Sequence, residues 1–435
     1  MTNRITQLTE TTLGKQMLRQ NDSLTNEEKR VDHYKDGRPY TIASTVRKKT
    51  PLEELNLNWR EQDLRERERT KHVHRLHPYL GKYIPQLVEI FLRKYFSTAD
   101  VVLDPFSGSG TTLVQANELG INSIGYDVSA FNVLLTQVKI ASYNIPKLKK
   151  EVNDLLLRLE SGQGPDLSIQ DLKTAAFNDE ARKYLKLWFA PQALAELLAF
   201  RRLISEYDNQ DLLKVILSRA ARSARLTTHF DLDFPKKPQT EPYHCYKHAR
   251  TCSPTSDAYK FIRRYALDTV ARVEAFSAVK TKASVQVHHA DSRNGKFSEI
   301  DGVITSPPYV GLIDYHEQHA YAYHLLGLHD QRDLEIGAAA KGSSIRAKKS
   351  YQEEIASVFR HTAENLRPGG RIIVVVGDKA NLYPEIAELV GLEQEAIVQR
   401  HVNRRTGRRS NEFYESVLIW RKQKKGTKNG SRREN

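Results

Sequence analysis

Two short stretches, far apart in the chain, carry residue types able to do chemistry. The first is Thr305-Ser306-Pro307-Pro308-Tyr309, which closes the apolar run that begins at Asp301. Its two prolines fix φ and offer no N–H, and the residue before each is held extended. Carbonyls on such a lip cannot fold back into a helix, so they accept hydrogen bonds from elsewhere. Tyr309 sets a flat π-face beside them. Acceptors next to a stacking face suit an amino-bearing nucleobase. Taken alone, the stretch also fits a proline-rich turn after a buried strand.

The second stretch is Asp104-Pro105-Phe106-Ser107-Gly108-Ser109-Gly110-Thr111-Thr112. It lies between a short apolar strand (100–104) and a helix that Gly120 closes as its C′ residue. The glycines let the backbone bend tightly and approach a ligand, and the helix N-terminus behind them favours electronegative groups. No Gly-Lys-Ser/Thr follows, so this is not a P-loop. The third glycine of the dinucleotide fingerprint is also missing, since Leu113 stands there. A second strand, 121–126, ends at Asp127, an acid placed for two ribose hydroxyls or, more simply, for capping the strand end. Strand, glycine loop, helix, strand and acid form the first half of a doubly wound nucleotide fold.

Together, Asp104-Pro-Phe-Ser-Gly-Ser-Gly-Thr-Thr and Thr305-Ser-Pro-Pro-Tyr resemble the motifs of S-adenosylmethionine-dependent DNA amino-methyltransferases. The Ser-Pro-Pro-Tyr form is that of the cytosine-N4 enzymes of restriction–modification systems. The resemblance covers about residues 72–140 and 285–420. It implies a class I methyltransferase (Rossmann-like) α/β fold with a doubly wound sheet. It also implies cofactor contacts from Tyr83, Asp104, Phe106, Ser107, Gly108, Gly110 and Thr111. Asp127 is then expected at the ribose, Asp291 near the adenine amino group, and Ser306, Pro307, Pro308 and Tyr309 as the catalytic set. The looser match at His77–Pro85 is expected to cover the methionine end.

The implied reaction moves a methyl group from S-adenosylmethionine to the exocyclic N4 of cytosine in double-stranded DNA. That nitrogen is a poor nucleophile because its lone pair is delocalised into the ring. Hydrogen bonds to the Ser306 hydroxyl and the Pro307 carbonyl favour the tetrahedral nitrogen. In-line attack then rests on positioning and electrostatics, with no metal. Tyr309 is expected to stack on a base extruded from the duplex. A cytosine-C5 enzyme needs a nucleophilic cysteine in a Pro-Cys motif, which neither Cys245 nor Cys252 provides. Adenine-N6 methylation stays open as the nearest alternative. An RNA amino-methyltransferase and a non-catalytic DNA-binding protein stand behind it.

These stretches need elements to hold them. At 435 residues, 39% hydrophobic and 28% charged, the chain can bury one large core or two modest ones. No run approaches a membrane span, and the N-terminus lacks the apolar core of a signal peptide. Two cysteines fit a reducing compartment; the resemblance implies a bacterial, cytoplasmic, nucleoid-associated enzyme, with a cognate restriction endonuclease as possible partner. The net charge of +14 suits a polyanion.

The expected organisation is a charged N-terminal extension (1–70), a cofactor half (71–140), a helical insertion for target recognition (141–284), a catalytic half (285–422) and a basic, disordered tail (423–435). The alternating charges of Arg60–Arg69 predict a solvated helix face. In the insertion, helices are expected at 148–159, 180–189, 191–207, 212–225 and 257–276, with a loop at 230–242. Further strands are expected at 285–291, 302–305, 371–376 and 416–420, with a helix at 352–366 and a turn at Arg367-Pro-Gly-Gly370. Basic runs at Arg201-Arg202, Arg219–Arg225, Lys236-Lys237, Arg263-Arg264 and the loop Arg400–Ser410 are candidates for phosphate contact. His244, Cys245, His248 and Cys252 offer four metal-type ligands in nine residues, but at no familiar finger spacing. The expectation there is a loop without metal.

Overall fold

A computed structural model describes residues 30–31, 33, 37–79, 81–161, 172, 177–232, 235–311, 313–402 and 413–423. Ten strands occur among them: β1 (Arg30–Val31), β2 (Val101–Asp104), β3 (Asn122–Asp127), β4 (Tyr243–Cys245), β5 (Arg250–Cys252), β6 (Val285–His289), β7 (Ile300–Thr305), β8 (Leu366–Val376), β9 (Glu393–Val402) and β10 (Phe413–Arg421). Helices α1 (Glu66–Arg69), α2 (Pro85–Tyr95), α3 (Thr111–Glu118) and α4 (Ala130–Ile140) precede the insertion. The insertion holds α5 (Ile145–Glu160), α6 (Asp179–Trp188), α7 (Pro191–Leu203), α8 (Gln210–Ala224) and α9 (Tyr259–Ser277). Helices α10 (Tyr315–Gln318), α11 (Ala320–Leu326), α12 (Ile345–Asn365) and α13 (Tyr383–Val390) complete the set.

The main sheet has the order β1-β9-β10-β8-β7-β2-β3-β6. All its pairings are parallel except those of β10, which runs antiparallel to both β8 and β9. Leaving aside the two-residue β1, this is the seven-stranded class I methyltransferase sheet. The chain leaves β2 for β3 and β6, then returns to β2's other side with β7. That reversal opens a crevice at the carboxyl ends of β2 and β7, where open α/β sheets bind ligands.

Sequence pattern and structure agree closely on the helices of the insertion and on β2, β3, β6, β7 and β10. They differ where burial is two-sided or a turn is absorbed. Strand β8 runs back through Arg367–Gly370, the expected turn, and the pairing with β7 shifts register between Ile300 and Gly302 to absorb it. Strand β9 and helix α13 lie where no element was expected. The charged run at Arg60–Arg69 is helical only over Glu66–Arg69; Arg69 is buried, giving its guanidinium to Glu61 Oε2 at 2.6 Å and the Leu64 carbonyl at 2.8 Å. Nor is the segment before it a solvated extension. Ala43, Val46, Leu55, Leu57 and Trp59 are buried in one cluster with α2 and the sheet. Residues 1–29 and 424–435 lie outside the described residues, so the expectations there are not addressed.

The insertion shares its core with the sheet's helical layer. Residues of α5 to α9 pack in one cluster with Phe131 and Leu135 of α4 and Tyr321 and Leu325 of α11. The insertion also contains a hairpin, β4–β5, where only loop was expected. Among the described residues no helix is long and apolar enough to cross a membrane.

Arg400 opens the loop assigned to phosphate contact, yet it belongs to β9 and is buried. Its guanidinium pairs with Glu415 of β10 at 2.9 Å and lies over the Trp59 ring. Residues 403–410 of that loop lie outside the described residues. Removing one partner of a buried ion pair strands the other charge, which costs about 3–5 kcal/mol. Arg400→Met should therefore lower the unfolding free energy by about that much in urea titration, and Glu415→Met added to it should restore much of the loss. A single variant as stable as the parent would mean Arg400 faces solvent.

Candidate active site

Strand β2 ends at Asp104 because the next residue, Pro105, cannot donate to the ladder. Its carboxylate is almost wholly buried, and Oδ1 accepts from Thr305 Oγ1 at 2.6 Å and the Phe106 amide at 3.2 Å. Tyr83 Oη donates to Oδ2 at 3.1 Å. Burial pushes this carboxyl above its ordinary value, and these hydrogen bonds oppose the shift. The two motifs thus meet through one buried acid.

The glycine loop then turns with Gly108 and Gly110 at φ +49° and +74°. The Gly108 amide donates to Asp127 Oδ2 at 2.8 Å, and the Ser107 amide to the Tyr126 carbonyl at 3.0 Å. Beneath the loop, the buried Lys139 Nζ donates to the Ser109 carbonyl; burial lowers its pKa far below the ordinary lysine value. Helix α3 starts with no side-chain cap. Leu113 replaces the fingerprint's third glycine because the close approach is made from the strand instead. A Cβ on Gly125 would lie 2.7 Å from Leu113 Cδ2.

Asp127 closes β3 at the rim. Oδ1 accepts from the Ser129 amide at 2.8 Å and from Asn132 Nδ2 at 3.1 Å. Burial raises its pKa to about 6 against those donors and the Gly108 amide, with Glu335 adding like charge.

A cleft opens over these strand ends. Of the residues singled out from the sequence, Tyr83, Phe106, Ser107, Gly108, Thr111, Asp127, Asp291, Ser306 and Pro308 line it. Asp104, Gly110, Pro307 and Tyr309 do not. Asp104 lies beneath the floor and Gly110 is buried behind the loop. Tyr309 is half-buried, near Gly377 after β8. The Pro308 carbonyl already accepts from Tyr351 Oη at 2.8 Å. Asp291 is held in a two-pronged pair by Arg293, whose Nε and Nη2 reach Oδ2 at 2.8 and 2.5 Å.

The sequence reading missed Tyr79, Asn132, Tyr315 and Glu335, which also line the cleft. Asn132 Nδ2 bridges Tyr79 Oη, at 3.1 Å, and Asp127. Tyr79 stacks with Tyr315 and with His319, each ring centroid 5.7 Å away. Tyr79 sits in the His77–Pro85 stretch and was within reach of the sequence. His77 itself turns to the insertion, its Nε2 lying 3.2 Å from Ser218 Oγ of α8, and burial keeps it neutral. Glu335 accepts from the His316 amide and Nδ1 at 3.1 and 2.7 Å; nothing in the local pattern announces it. Cys245 and Cys252 lie on the separate β4–β5 hairpin, not at a strand end of the main sheet.

A Cβ on Gly110 would sit 2.6 Å from Thr136 Cγ2, which is fully buried on α4. Gly110→Ala should cost about 1–2 kcal/mol for the left-handed backbone and about 1–3 kcal/mol for the overlap. Adding Thr136→Ala should recover the overlap part alone, as a double-mutant cycle by chemical denaturation would read.

Residues 8–137 match the family model for N6/N4 DNA methylases. The chain is 38% identical to the type II methyltransferase M.MjaII of Methanocaldococcus jannaschii, over 82% of this chain and 81% of that one. It is 22% identical to the type II methyltransferase M.BsoBI of Geobacillus stearothermophilus, over 65% of this chain and 58% of that one. Among solved structures, the rRNA methyltransferase aviRa of Streptomyces viridochromogenes aligns with 83% of this chain and 96% of that one, at a TM-score of 0.31 and 14% identity. The strand order, rather than that superposition, establishes the fold. With its methylase motifs joined at the switch point of the sheet, the chain belongs to the type II DNA methyltransferases, enzymes that take their methyl group from S-adenosylmethionine.

Proposed function

We propose that the chain methylates the exocyclic N4 of cytosine in double-stranded DNA, marking host sites beside a cognate restriction endonuclease. The observation that carries this reading is Ser306. It follows the β7 residue Thr305, bonded to Asp104, and lines the cleft beside the glycine loop. A neutral hydroxyl at that position, where adenine-N6 enzymes more often carry Asp or Asn, favours cytosine.

The cleft's residues fit the cofactor. Gly108 keeps space open where a Cβ would come 3.2 Å from Tyr79 Oη, and the carboxylate of Asp127 stands at the rim for the two ribose hydroxyls. Tyr79, Tyr83 and Phe106 supply the apolar wall, and Asp291, oriented by Arg293, borders the end assigned to the adenine. When bound, S-adenosylmethionine supplies an electrophilic sulfonium methyl.

Ser306 Oγ and the Pro307 carbonyl then accept from the base's amino group and favour its tetrahedral form, which frees the lone pair. The Tyr351 bond fixes the adjoining Pro308 carbonyl and so holds the lip in place. Tyr309 stacks on the extruded base.

Target recognition falls to the insertion, though not to all its basic runs. Arg219, Arg222 and Arg225 are buried: Arg219 pairs with Asp268 at 2.5 Å and Arg225 lies over Tyr321. Lys236, Lys237, Lys247, Arg250, Arg263 and Arg264 are exposed. The hairpin region also bears two exposed aromatics, Phe230 and Tyr246, with ring centroids 6.2 Å apart. This face suits the DNA backbone.

DNA from a methylation-free host expressing the chain should contain N4-methylcytosine by nucleoside mass spectrometry. Ser306→Ala should lower it on the order of 10²-fold, the usual cost of one preorganised hydrogen-bonding group. N6-methyladenine instead would overturn the base assignment and keep the fold.

A pH dependence follows from Asp127. A carboxyl raised to about 6 in the folded chain gives stability at low pH that is lost as pH rises through that value. Ribose hydroxyls need the ionised form, so cofactor binding should run the other way. Calorimetric affinity for S-adenosylmethionine should weaken about tenfold per pH unit below about 6. Asp127→Asn should bind more weakly at alkaline pH, with a flat profile. A flat profile in the parent would remove Asp127 from the ribose.

A further inference from the structure

We infer that the insertion carries a tetrahedral Zn²⁺ site built by His229, Cys245, His248 and Cys252. One ligand atom from each residue lies within 4.8 Å of all the others. Cys245 Sγ is 3.3 Å from His229 Nδ1 and 3.6 Å from His248 Nδ1, and His248 Nδ1 is 3.4 Å from Cys252 Sγ. Zinc bonds of about 2.0–2.1 Å to nitrogen and about 2.3 Å to sulfur imply tetrahedron edges of about 3.3–3.8 Å. The three donor–donor distances above fall in that range.

The ligand set differs from the four consecutive candidates the sequence offers, and strand parity decides why. In the antiparallel pair, Tyr243 opposes Cys252 and Cys245 opposes Arg250, so both thiols share one face. His244 opposes Thr251 on the other face, where its ring meets Tyr246 edge-on at 4.8 Å. The fourth ligand comes instead from the segment after α8, where His229 brings its ring centroid within 4.6 Å of that of His248. His248 reaches the cluster through the hairpin turn. Its amide donates to the Cys245 carbonyl at 3.1 Å, and the next residue, Ala249, takes a left-handed φ of +49°.

Two features call for such a staple. A hairpin with three residues per strand is marginal by itself in water. The thiols are buried, yet neither belongs to any of the three apolar clusters among the described residues. Two thiolates and two neutral imidazoles balance the charge of the dication, with two protons released on binding. The centre would tie the hairpin to the end of α8 and so fix the face that bears Phe230 and Tyr246. All four positions of the tetrahedron are filled by protein, so the site is structural.

The test is the metal content of the untagged full-length chain, purified without chelator and measured by inductively coupled plasma mass spectrometry. One zinc per chain is expected. Cys245→Ser, Cys252→Ser and His229→Ala should each lose it, whereas His244→Ala should retain it. Cobalt-exchanged protein should show thiolate-to-metal charge-transfer absorption, which ions scattered on the surface would not give. A zinc-free parent protein overturns the proposal, as does an intact mass lower by two hydrogens, the mark of a Cys245–Cys252 disulfide. Loss of zinc in His244→Ala with retention in His229→Ala overturns the ligand assignment. The parent and His244→Ala measurements require no ligand variant to fold.

Discussion

The carboxylate of Asp104 is the constraint on which the rest of the site depends. It is buried at the carboxyl end of β2 and takes hydrogen bonds from Thr305 at the end of β7, from the first amide of the glycine loop and from Tyr83. A buried carboxylate is tolerable only when so satisfied. The same bonds that make it tolerable therefore fix the distance between the glycine loop and the Ser-Pro-Pro-Tyr lip. Residues separated by 201 positions become neighbours at the switch point of the sheet. Tyr83 brings the preceding loop into the same network and carries Tyr79 over the cleft.

Around this junction the molecule is built as one body. The helices of the insertion do not form a free-standing unit, since their core runs through α4 and α11 and thus into the layer that covers the sheet. Asn132, on the first turn of α4, joins Asp127 to Tyr79. Tyr321, on α11, takes the stacked guanidinium of Arg225. Packing in the insertion is therefore transmitted directly to the walls of the cleft. The charge balance divides in the same way: Arg219 and Arg222 of α8 serve the interior, while Lys247 and Arg250 of the hairpin and Arg263 and Arg264 of α9 face solvent.

Much of this was legible in the chain. The glycine loop, the strand ending at Asp127 and the Ser-Pro-Pro-Tyr lip could be read because Gly and Pro restrict the backbone within a few residues of themselves. Amphipathic spacing located the insertion helices for the same local reason. What escaped were elements whose pattern is blurred by their surroundings. Strand β9 alternates poorly because Arg400 is buried beside Trp59 and Glu415, so a core position looked like a basic loop. Trp59 and its neighbours looked like part of a charged extension because exposed charges such as Arg60 and Arg67 follow them closely in the chain.

The sequence by itself determined the two motifs and the strand–loop–helix order around them, because these depend on backbone rules and short-range spacing. The family and fold class came through the resemblance of those motifs to known methyltransferases. The tertiary structure alone decided which side chains face the cleft. Asp104 turns beneath it, Glu335 enters from a distant segment, and Tyr309 is not among its lining residues. It also decided that His229 rather than His244 joins the two thiols. The reason is directional. A side chain's orientation follows strand parity and the element packed against it, and that partner is supplied by residues far away in the chain.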